Sequence, residues 1–451
     1  MPRRLVIIGG DAAGMSAAAQ ARRMTSAGEL EIVAFERGPR TSYAACGLPY
    51  LVGGLVDTPE LLIARTPEQH RANGVDVRIR HEVTAIDAEG STLTVRNLDT
   101  GREALEHYDE LLIGTGASGI APPWPGIDAQ GVLQLRTLDD AAEVERRLAA
   151  GARRAVVVGA GYIGLEVAEG LLGRGLDVTV VERLDAPMGA VLDAEMASGV
   201  ADAMRTAGID LRSGTAVTGF TAVDGRVTAV ETSADPIAAD LVVIGLGVRP
   251  NVDLARAAGI GVGKAGGIIV DDHLRTGTPH VWAAGDCVES RHRITGQSVV
   301  VALGTHANKQ GRIAGTNLAG GDAAFAGVLG TAITRFRNLE IGRTGLTERE
   351  AGIAGFDAIG VTTEASNRAH YFPGAQPMRI KIVAERRTGR LLGAQILGGE
   401  GAGKRIDVLA TALWNDMTVD EVAGMDLSYA PPFSPVWDPV LLAAGKAASK
   451  I

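Results

Sequence analysis

The sequence predicts an α/β protein that contains two similar strand–turn–helix–strand units, and three observations support this prediction. Residues 3–36 start with the apolar run RRLVIIGG, continue through a stretch rich in helix formers and end in the strand LEIVAFE. Residues 153–182 repeat the plan, from RRAVVVGAG to LDVTVVE. The 60 glycines among 451 residues suit the tight turns that such units need.

Length and composition narrow the possibilities further. At ~150 residues per domain, the chain is expected to hold about three domains. The net charge of −9 and the lack of a long basic block argue against nucleic-acid binding. Two cysteines cannot form a disulfide framework, which favours the reducing cytoplasm. The apolar run after MPRR is short and ends in glycines, so it predicts a first strand and not a signal peptide, and no run reaches the ~18 residues of a membrane span.

The second unit contains the complete motif G-x-G-x-x-G at Gly159, Gly161 and Gly164. Glu182 ends the following strand, 18 residues after Gly164. In this pattern the first glycine permits the turn, the second admits a pyrophosphate and the third lets helix and strand pack closely. The helix N-terminus then faces the phosphates. The unit therefore predicts a dinucleotide site, the alternative being an ordinary tight turn.

The first unit is less regular, because Asp11 occupies the middle position between Gly9 and Gly14. Its strand also ends in an acid, Glu36. The context matches that of the second unit, so the repeat supports a nucleotide site here as well. Two such units in one chain suggest two different dinucleotides, a flavin and a nicotinamide.

Three further segments end a strand in a small-residue turn. They are YDELLIGTGA, DLVVIGLGVRPN and TGTPHVWAAGDC. In the last, Asp286 stands at a strand end before a predicted helix, where its carboxylate is suited to a ligand hydroxyl and the helix amides to a phosphate. The alternative is that Asp286 only caps the helix.

Together these segments resemble the flavoprotein pyridine nucleotide–disulfide oxidoreductases, and the resemblance covers essentially the whole chain. It implies a discontinuous, Rossmann-like FAD-binding domain at 1–118 and 252–325, an NAD(P)H-binding domain at 119–251, and an α+β dimerisation domain at 326–451 that forms a homodimer. The implied FAD-site residues are Gly9, Asp11, Ala12, Gly14, Glu36, Arg37, Thr115, Gly116, Ala117, Gly285 and Asp286. The implied NADH or NADPH residues are Gly159, Gly161, Tyr162, Ile163, Gly164, Glu166, Glu182 and Gly247.

The resemblance also assigns roles in the nicotinamide site. A tyrosine matching Tyr162 covers the flavin and swings aside for the nicotinamide, and Glu166 bonds its carboxamide. The plain alternatives are packing for Tyr162 and a domain contact for Glu166. Glu182 suits the two ribose hydroxyls of NADH, while the adjacent Arg183 leaves NADPH open.

Cys46, within TSYAACGLPY, has no partner at the C-x4-C spacing of the disulfide reductases in this family. This points to the single-cysteine branch, which includes NADH oxidases and peroxidases, coenzyme A-disulfide reductases, and persulfide or polysulfide reductases. The segment SYAACGLPYLVGG looks most like the coenzyme A-disulfide reductases. Outside this context a free cysteine is usually a small buried apolar residue.

Two features separate the members of this branch. Its oxidases and peroxidases place a histidine in the first glycine turn, whereas this turn reads GGDAAG. The segments AHYFPG, GKRIDVLATAL and YAPPFSPVWDP match the coenzyme A-disulfide reductases, in which tyrosines matching Tyr371 and Tyr429 reach the partner subunit's cysteine.

The resemblance to the coenzyme A enzymes is incomplete. Ala45 stands where they usually have asparagine, and a lysine that helps to bind coenzyme A phosphate is replaced near Gln69. Gln20 and Arg23 do match positions that contact phosphate. The reaction is therefore better supported than the identity of the thiol.

The expected reaction starts from the Cys46 thiolate, stabilised at a helix start that contains Pro49. The thiolate attacks a substrate disulfide, Ser42 hydrogen-bonds a sulfur, and Tyr371 and Tyr429 of the other subunit donate to the leaving thiolate. The predicted function is an FAD-dependent NAD(P)H reductase of a small disulfide or persulfide such as coenzyme A disulfide. The alternatives are an NAD(P)H oxidase that uses a Cys46 sulfenic acid and a flavin-bound sensor.

Two other residue types are expected to be structural. Cys287 is predicted at the start of a helix and without a redox role. The eight histidines show no paired ligand spacing, so no metal site is predicted.

Overall fold

The computed structural model describes residues 2–451, and its elements have the following bounds. The helices are α1 (Ala12–Met24), α2 (Leu48–Val52), α3 (Pro67–Ala72), α4 (Leu138–Ala149), α5 (Tyr162–Gly173), α6 (Ala194–Thr206), α7 (Asp253–Ala257), α8 (Gly304–Leu318), α9 (Glu348–Ile353), α10 (Ala402–Trp414), α11 (Val419–Ala423) and α12 (Pro439–Ala448). Short 3-10 turns cover Ala45–Gly47 and Pro59–Leu62.

The strands complete the element order. They are β1 (Arg3–Ile8), β2 (Leu30–Glu36), β3 (Asp76–Ile79), β4 (His81–Asp87), β5 (Thr92–Asn97), β6 (Glu103–His107), β7 (Glu110–Ile113), β8 (Ala117–Gly119), β9 (Val132–Leu133), β10 (Arg154–Val158), β11 (Asp177–Val181), β12 (Asp210–Arg212), β13 (Val217–Val223), β14 (Arg226–Thr232), β15 (Ile237–Ala238), β16 (Leu241–Ile244), β17 (Val248–Pro250), β18 (Val281–Ala283), β19 (Ser290–Arg291), β20 (Ser298–Val299), β21 (Ala332–Phe336), β22 (Leu339–Gly345), β23 (Ala358–Ser366), β24 (Pro377–Glu385) and β25 (Leu391–Gly398).

The chain divides into two compact units. The first comprises residues up to 47, 58–120 and 248–328, and the second comprises 48–57, 121–247 and 329–451. The predicted mixture of parallel sheets and helices is confirmed in both. Among residues 2–451, no helix has the length and apolar character needed to cross a membrane.

The first unit is built on a parallel sheet with the strand order β18-β7-β1-β2-β3. The strands are buried on both faces, as their continuous apolar runs predict. Helices α1 and α8 pack together so closely that a Cβ at Gly311 or Gly315 would strike the backbone of Ala13 or Ala17. This contact fixes α1, and with it the turn between β1 and α1. The unit also contains the antiparallel sheet β4-β5-β6.

The second unit contains a parallel sheet, β12-β11-β10-β16-β9, and an antiparallel sheet, β21-β22-β25-β24-β23. Lys381 on β24 is 1% exposed. Its Nζ donates to Glu195 Oε1 at 2.5 Å and to Glu348, and lies 3.1 Å from Asp193 Oδ2. Burial opposes the charge on this lysine, but the carboxylates prevail and raise its pKa.

We expect Lys381→Met to destabilise the second unit by about 3 kcal/mol, because three carboxylates lose their shared cation. This is the lower end of the range for breaking a buried ion pair, since Glu195 and Glu348 remain half exposed. Calorimetric unfolding measures the change. The control is Lys404→Met, which removes an exposed ion pair to Asp407 and should cost less than about 1 kcal/mol. Equal unfolding midpoints for the two variants would contradict this account.

Candidate functional site: two dinucleotide turns and an exposed cysteine

The turn between β1 and α1 depends on its glycines. Gly9 has a φ of +107°, and a Cβ there would strike the carbonyl of Gly114. A Cβ at Gly14 would likewise strike the carbonyl of Gly9. The backbone thus forms the close β-to-α turn that leaves room for a pyrophosphate at the start of α1.

Carboxylates surround this first turn. Glu36, at the end of β2, accepts from the amides of Gly10 at 2.8 Å and Gly38 at 2.6 Å. Burial, followed by the charge of Glu36, raises the pKa of Asp11 to about 6, and Asp286 adds to the effect. Asp11 is therefore protonated more readily than an ordinary aspartate, although it is still mostly ionised near neutral pH. The close turn and the acid at the end of β2 fit the adenosine diphosphate part of FAD.

The Thr-Gly-Ala turn at residues 115–117 is held in place by hydrogen bonds within the first unit. Thr115 Oγ1 donates to the Asn251 carbonyl at 2.7 Å, and the Asn251 side chain donates back to the Thr115 carbonyl at 2.8 Å. Strand β8, which starts at Ala117, pairs with β17. Gly116 has a φ of +66° with open space where a Cβ would lie.

The segment after β18 differs from the prediction. Gly285, at a φ of +90°, approaches α1 so closely that its Cβ would lie 2.8 Å from that of Ala13. The prediction of a helix directly after Asp286 is wrong. The chain turns there and forms the β19–β20 hairpin before α8 begins at Gly304. Cys287 is therefore not at a helix start. It is fully buried, its Sγ donates to the Ala284 carbonyl at 3.3 Å, and burial raises its pKa.

Cys46 lies in the exposed 3-10 turn Ala45–Gly47, and α2 begins two residues later. The predicted helix start is present, but α2 has only five residues, so its dipole offers a thiolate little support. The segment before the cysteine is attached to the first glycine turn. The amide of Ser42 donates to the Gly10 carbonyl at 3.1 Å, and the Thr41 hydroxyl donates to the same oxygen.

The structure adds one residue that the sequence interpretation missed. His70 of α3 is 3% exposed, and its Nε2 lies 2.9 Å from Ser42 Oγ. Thr66 and Pro67 are recognisable as a helix start in the sequence, but the contact of that helix with the cysteine segment has no local signal.

The second glycine turn, between β10 and α5, repeats the geometry of the first. Gly159 has a φ of +97°, and its Cβ would lie 2.6 Å from the Gly245 carbonyl. Gly161, the middle glycine, has open space at its Cβ position. Glu182 accepts from the amides of Ala160 at 2.7 Å and Leu184 at 2.8 Å, as Glu36 does in the first unit. The turn and its acid fit a second dinucleotide.

Tyr162 and Glu166 lie one turn apart on α5. Burial raises the pKa of Tyr162 to about 12, so the phenol stays protonated. Thr334 donates to Glu166 Oε1 at 2.8 Å, Tyr50 also bonds this carboxylate, and burial raises its pKa. These hydrogen bonds hold the Glu166 side chain in a defined position on α5.

The remaining predicted residues form two hydrogen-bonded pairs and four single positions. Tyr371 and Tyr429 are 66% and 46% exposed, and a hydrogen bond between them raises the pKa of Tyr429. On α1, Arg23 donates to Gln20 Oε1 at 2.7 Å, and Gln20 donates to Thr316 at 3.1 Å. The other positions are the exposed Arg37, Ala12 and Ile163 in the first turns of α1 and α5, and Gly247 at a φ of +87°.

Gln69 has a structural role. Its side chain accepts from the Thr66 amide at 2.8 Å and completes a capping box at the start of α3. Within residues 2–451, no group of three or more histidine, cysteine or acidic side chains could hold a metal ion.

The chain belongs to the pyridine nucleotide-disulphide oxidoreductases. The family model matches residues 3–311, and the model of the family's dimerisation domain matches residues 331–439. Members of this family use FAD and NAD(P)H, and the predicted family and cofactors are confirmed.

Particular relatives narrow the class. The NAD(P)H coenzyme A polysulfide/persulfide reductase of Pyrococcus horikoshii is 37% identical, over 98% of both chains. A coenzyme A disulfide reductase of Staphylococcus aureus is 32% identical over 96% of this chain and 97% of its own. The solved structure of an NAD-dependent persulfide reductase from A. fulgidus has a TM-score of 0.96 and 38% identity, covering 99% of this chain and 83% of that chain. Chains named NADH oxidase are also among the relatives.

Proposed function

We propose that the protein uses NAD(P)H to reduce a low-molecular-weight disulfide or persulfide, and that Cys46 is the residue that exchanges sulfur bonds with the substrate. The observation that supports this most directly is the attachment of the cysteine segment to the first glycine turn. The Ser42 amide bonds the Gly10 carbonyl within one compact unit, and Cys46 follows in an exposed turn. Cys287 is fully buried.

The two glycine turns are proposed to hold different dinucleotides. We assign FAD to the residues around Gly9, Glu36, Gly116 and Asp286, and NAD(P)H to those around Glu182. FAD supplies the capacity to accept a hydride from the nicotinamide and to pass an electron pair to sulfur. Glu182 suits the ribose hydroxyls of NADH and would repel the 2′-phosphate of NADPH.

The proposed role of Cys46 is nucleophilic. Its thiolate attacks one sulfur of the substrate disulfide, the substrate S–S bond breaks, and the first thiolate leaves while a mixed disulfide forms on Cys46. Two electrons that come from NAD(P)H then break the mixed disulfide, which releases the second thiolate and restores the Cys46 thiolate. Two protons are taken up by the two product thiolates.

The dimer is proposed to complete the site. The exposed, mutually bonded pair Tyr371 and Tyr429 is available to donate a proton to a leaving thiolate in the other subunit. Gln20 and Arg23 lie paired on α1 and are assigned to a phosphate-bearing substrate such as a coenzyme A derivative. The small number of cysteines, two in the whole sequence, suits the reducing cytoplasm.

An anaerobic assay of the FAD-loaded enzyme tests the proposal. NADH or NADPH is supplied with coenzyme A disulfide, coenzyme A persulfide, polysulfide or glutathione disulfide. We expect NADH consumption to depend on a sulfur substrate and to be fastest with a coenzyme A compound. A parallel assay in air measures the alternative: rapid oxygen consumption there, together with no turnover of any sulfur compound, would instead favour the oxidase.

A further inference from the structure

His70 is a buried imidazole beside the cysteine segment, and the reaction outlined above gives it no role. Its Nε2 lies 2.9 Å from Ser42 Oγ, and Ser42 precedes Cys46 by four residues. The intervening residues form tight turns, with hydrogen bonds from the Ala45 amide to the Tyr43 carbonyl and from the Gly47 amide to the Ala44 carbonyl. The imidazole therefore acts on a hydroxyl in the same compact segment as the thiol.

The backbone of Ser42 is held in an uncommon conformation. Its φ is +50°, in the left-handed region that residues with a side chain rarely adopt. Hydrogen bonds from its amide to the Gly10 carbonyl and from the Ala64 amide to its own carbonyl, at 3.1 and 2.8 Å, keep it there. Such backbone strain persists where the surroundings impose it and occurs often at functional sites. The direction of the Ser42 side chain is thus set by its backbone.

The start of α3 fixes His70 in turn. Thr66 and Gln69 form a reciprocal capping box, and Pro67 occupies the first helical turn. The Val75 amide donates to the His70 carbonyl at 3.1 Å, which secures the other end of the helix. Both partners of the hydrogen bond therefore belong to restrained segments.

The imidazole is neutral near neutral pH. Burial, followed by the positive charge of Arg65, lowers its pKa. The nearby charges of α3 and β3 are paired with each other, Glu68 with Arg71 and Asp76 with Arg78. A neutral imidazole has one N–H donor and one acceptor nitrogen, so its proton position decides what remains available on the serine.

We propose that His70 is a positioning residue for the sulfur chemistry: its Nε2–H donates to Ser42 Oγ and so directs the Ser42 proton toward the sulfur anion of Cys46 or of the departing thiol. If Ser42 Oγ instead donated its proton to Nε2, the hydroxyl would have no proton left to donate to sulfur. A hydroxyl that accepts one hydrogen bond also becomes a stronger donor in the next. The inference rests on the proposed role of Cys46.

The test compares His70→Gln with His70→Phe in the FAD-loaded protein. Glutamine keeps an N–H donor near the Nε2 position, whereas phenylalanine keeps the volume and removes the donor. The first measurement is the pKa of the Cys46 thiol, taken from the pH dependence of its alkylation without substrate. We expect His70→Phe to raise that pKa by about one unit and to lower kcat about tenfold with an unchanged KM for NADH, while His70→Gln stays within about threefold of wild type.

Further variants separate positioning from general damage. Ser42→Ala should match His70→Phe, and the double variant should lose nothing more, because the two residues act through one hydrogen bond. His107→Gln alters an exposed histidine of β6 and should change neither measurement. Equal impairment of His70→Gln and His70→Phe, multiplied losses in the double variant, or an unchanged thiol pKa in His70→Phe would overturn the proposal. Alkylation needs no turnover, so a failed substrate assignment would leave this result intact.

Discussion

Replacement of Cys46 by serine should abolish disulfide reduction and leave hydride uptake from NADH intact. A serine hydroxyl is not ionised near neutral pH and cannot form a mixed disulfide, so we expect turnover to fall by at least about 10³-fold, the scale on which loss of a nucleophile acts. Anaerobic stopped-flow mixing with NADH should still bleach the bound flavin at the wild-type rate, because Cys46 is not part of the second glycine turn.

Cys287→Ser is the matched control. Cys287 is fully buried, and its Sγ donates to the Ala284 carbonyl, a hydrogen bond that a serine hydroxyl can also make. We expect this variant to reduce the disulfide at close to the wild-type rate. Rapid disulfide turnover by Cys46→Ser, or equal losses in both variants, would exclude Cys46 as the nucleophile.

Features that depend on local geometry could be predicted from the sequence. The glycine turns can be recognised from a short pattern in the sequence. A glycine ends a buried strand, helix formers follow, and a second strand ends in an acid. Gly159 accordingly lies in the expected turn, and Glu182, directly after β11, accepts a hydrogen bond from the amide of Ala160 in that turn. Glu36 repeats this arrangement on the amide of Gly10. These bonds form between residues of one strand–turn–helix–strand unit, so their pattern is visible in the chain.

Features that depend on distant segments could not be predicted. His70 meets Ser42 only because α3 packs near the cysteine segment, and neither residue belongs to a motif that indicates the other. Lys381 keeps its charge while buried because Asp193 and Glu195 at the start of α6, and Glu348 in α9, pair with its ammonium group. The wrong helix after Asp286 has a similar origin. The sequence predicts a helix after the strand end at Asp286, but the residues that follow form the short β19–β20 hairpin.

Replacement of Gly159 by alanine should weaken NADH binding without removing FAD. The added Cβ would lie 2.6 Å from the Gly245 carbonyl, and alanine would have to adopt a φ of +97°. The turn must therefore shift, which displaces the amides that would face the pyrophosphate. We expect the KM for NADH to rise by at least about tenfold, corresponding to the loss of about 1.4 kcal/mol of binding free energy, while the purified protein keeps its flavin absorbance.

Gly9→Ala makes the equivalent change in the first glycine turn. The added Cβ would strike the Gly114 carbonyl, and alanine would have to adopt a φ of +107°. This variant should be purified with little flavin, since the distorted turn is the one assigned to FAD. Gly173→Ala is the neutral control: it lies at the end of α5 with open space at its Cβ position, so alanine should fit there. If Gly159→Ala lost its flavin and Gly9→Ala kept it, the assignment of the two dinucleotides would have to be exchanged. The pair of variants thus tests which turn binds which cofactor, independently of the sulfur substrate.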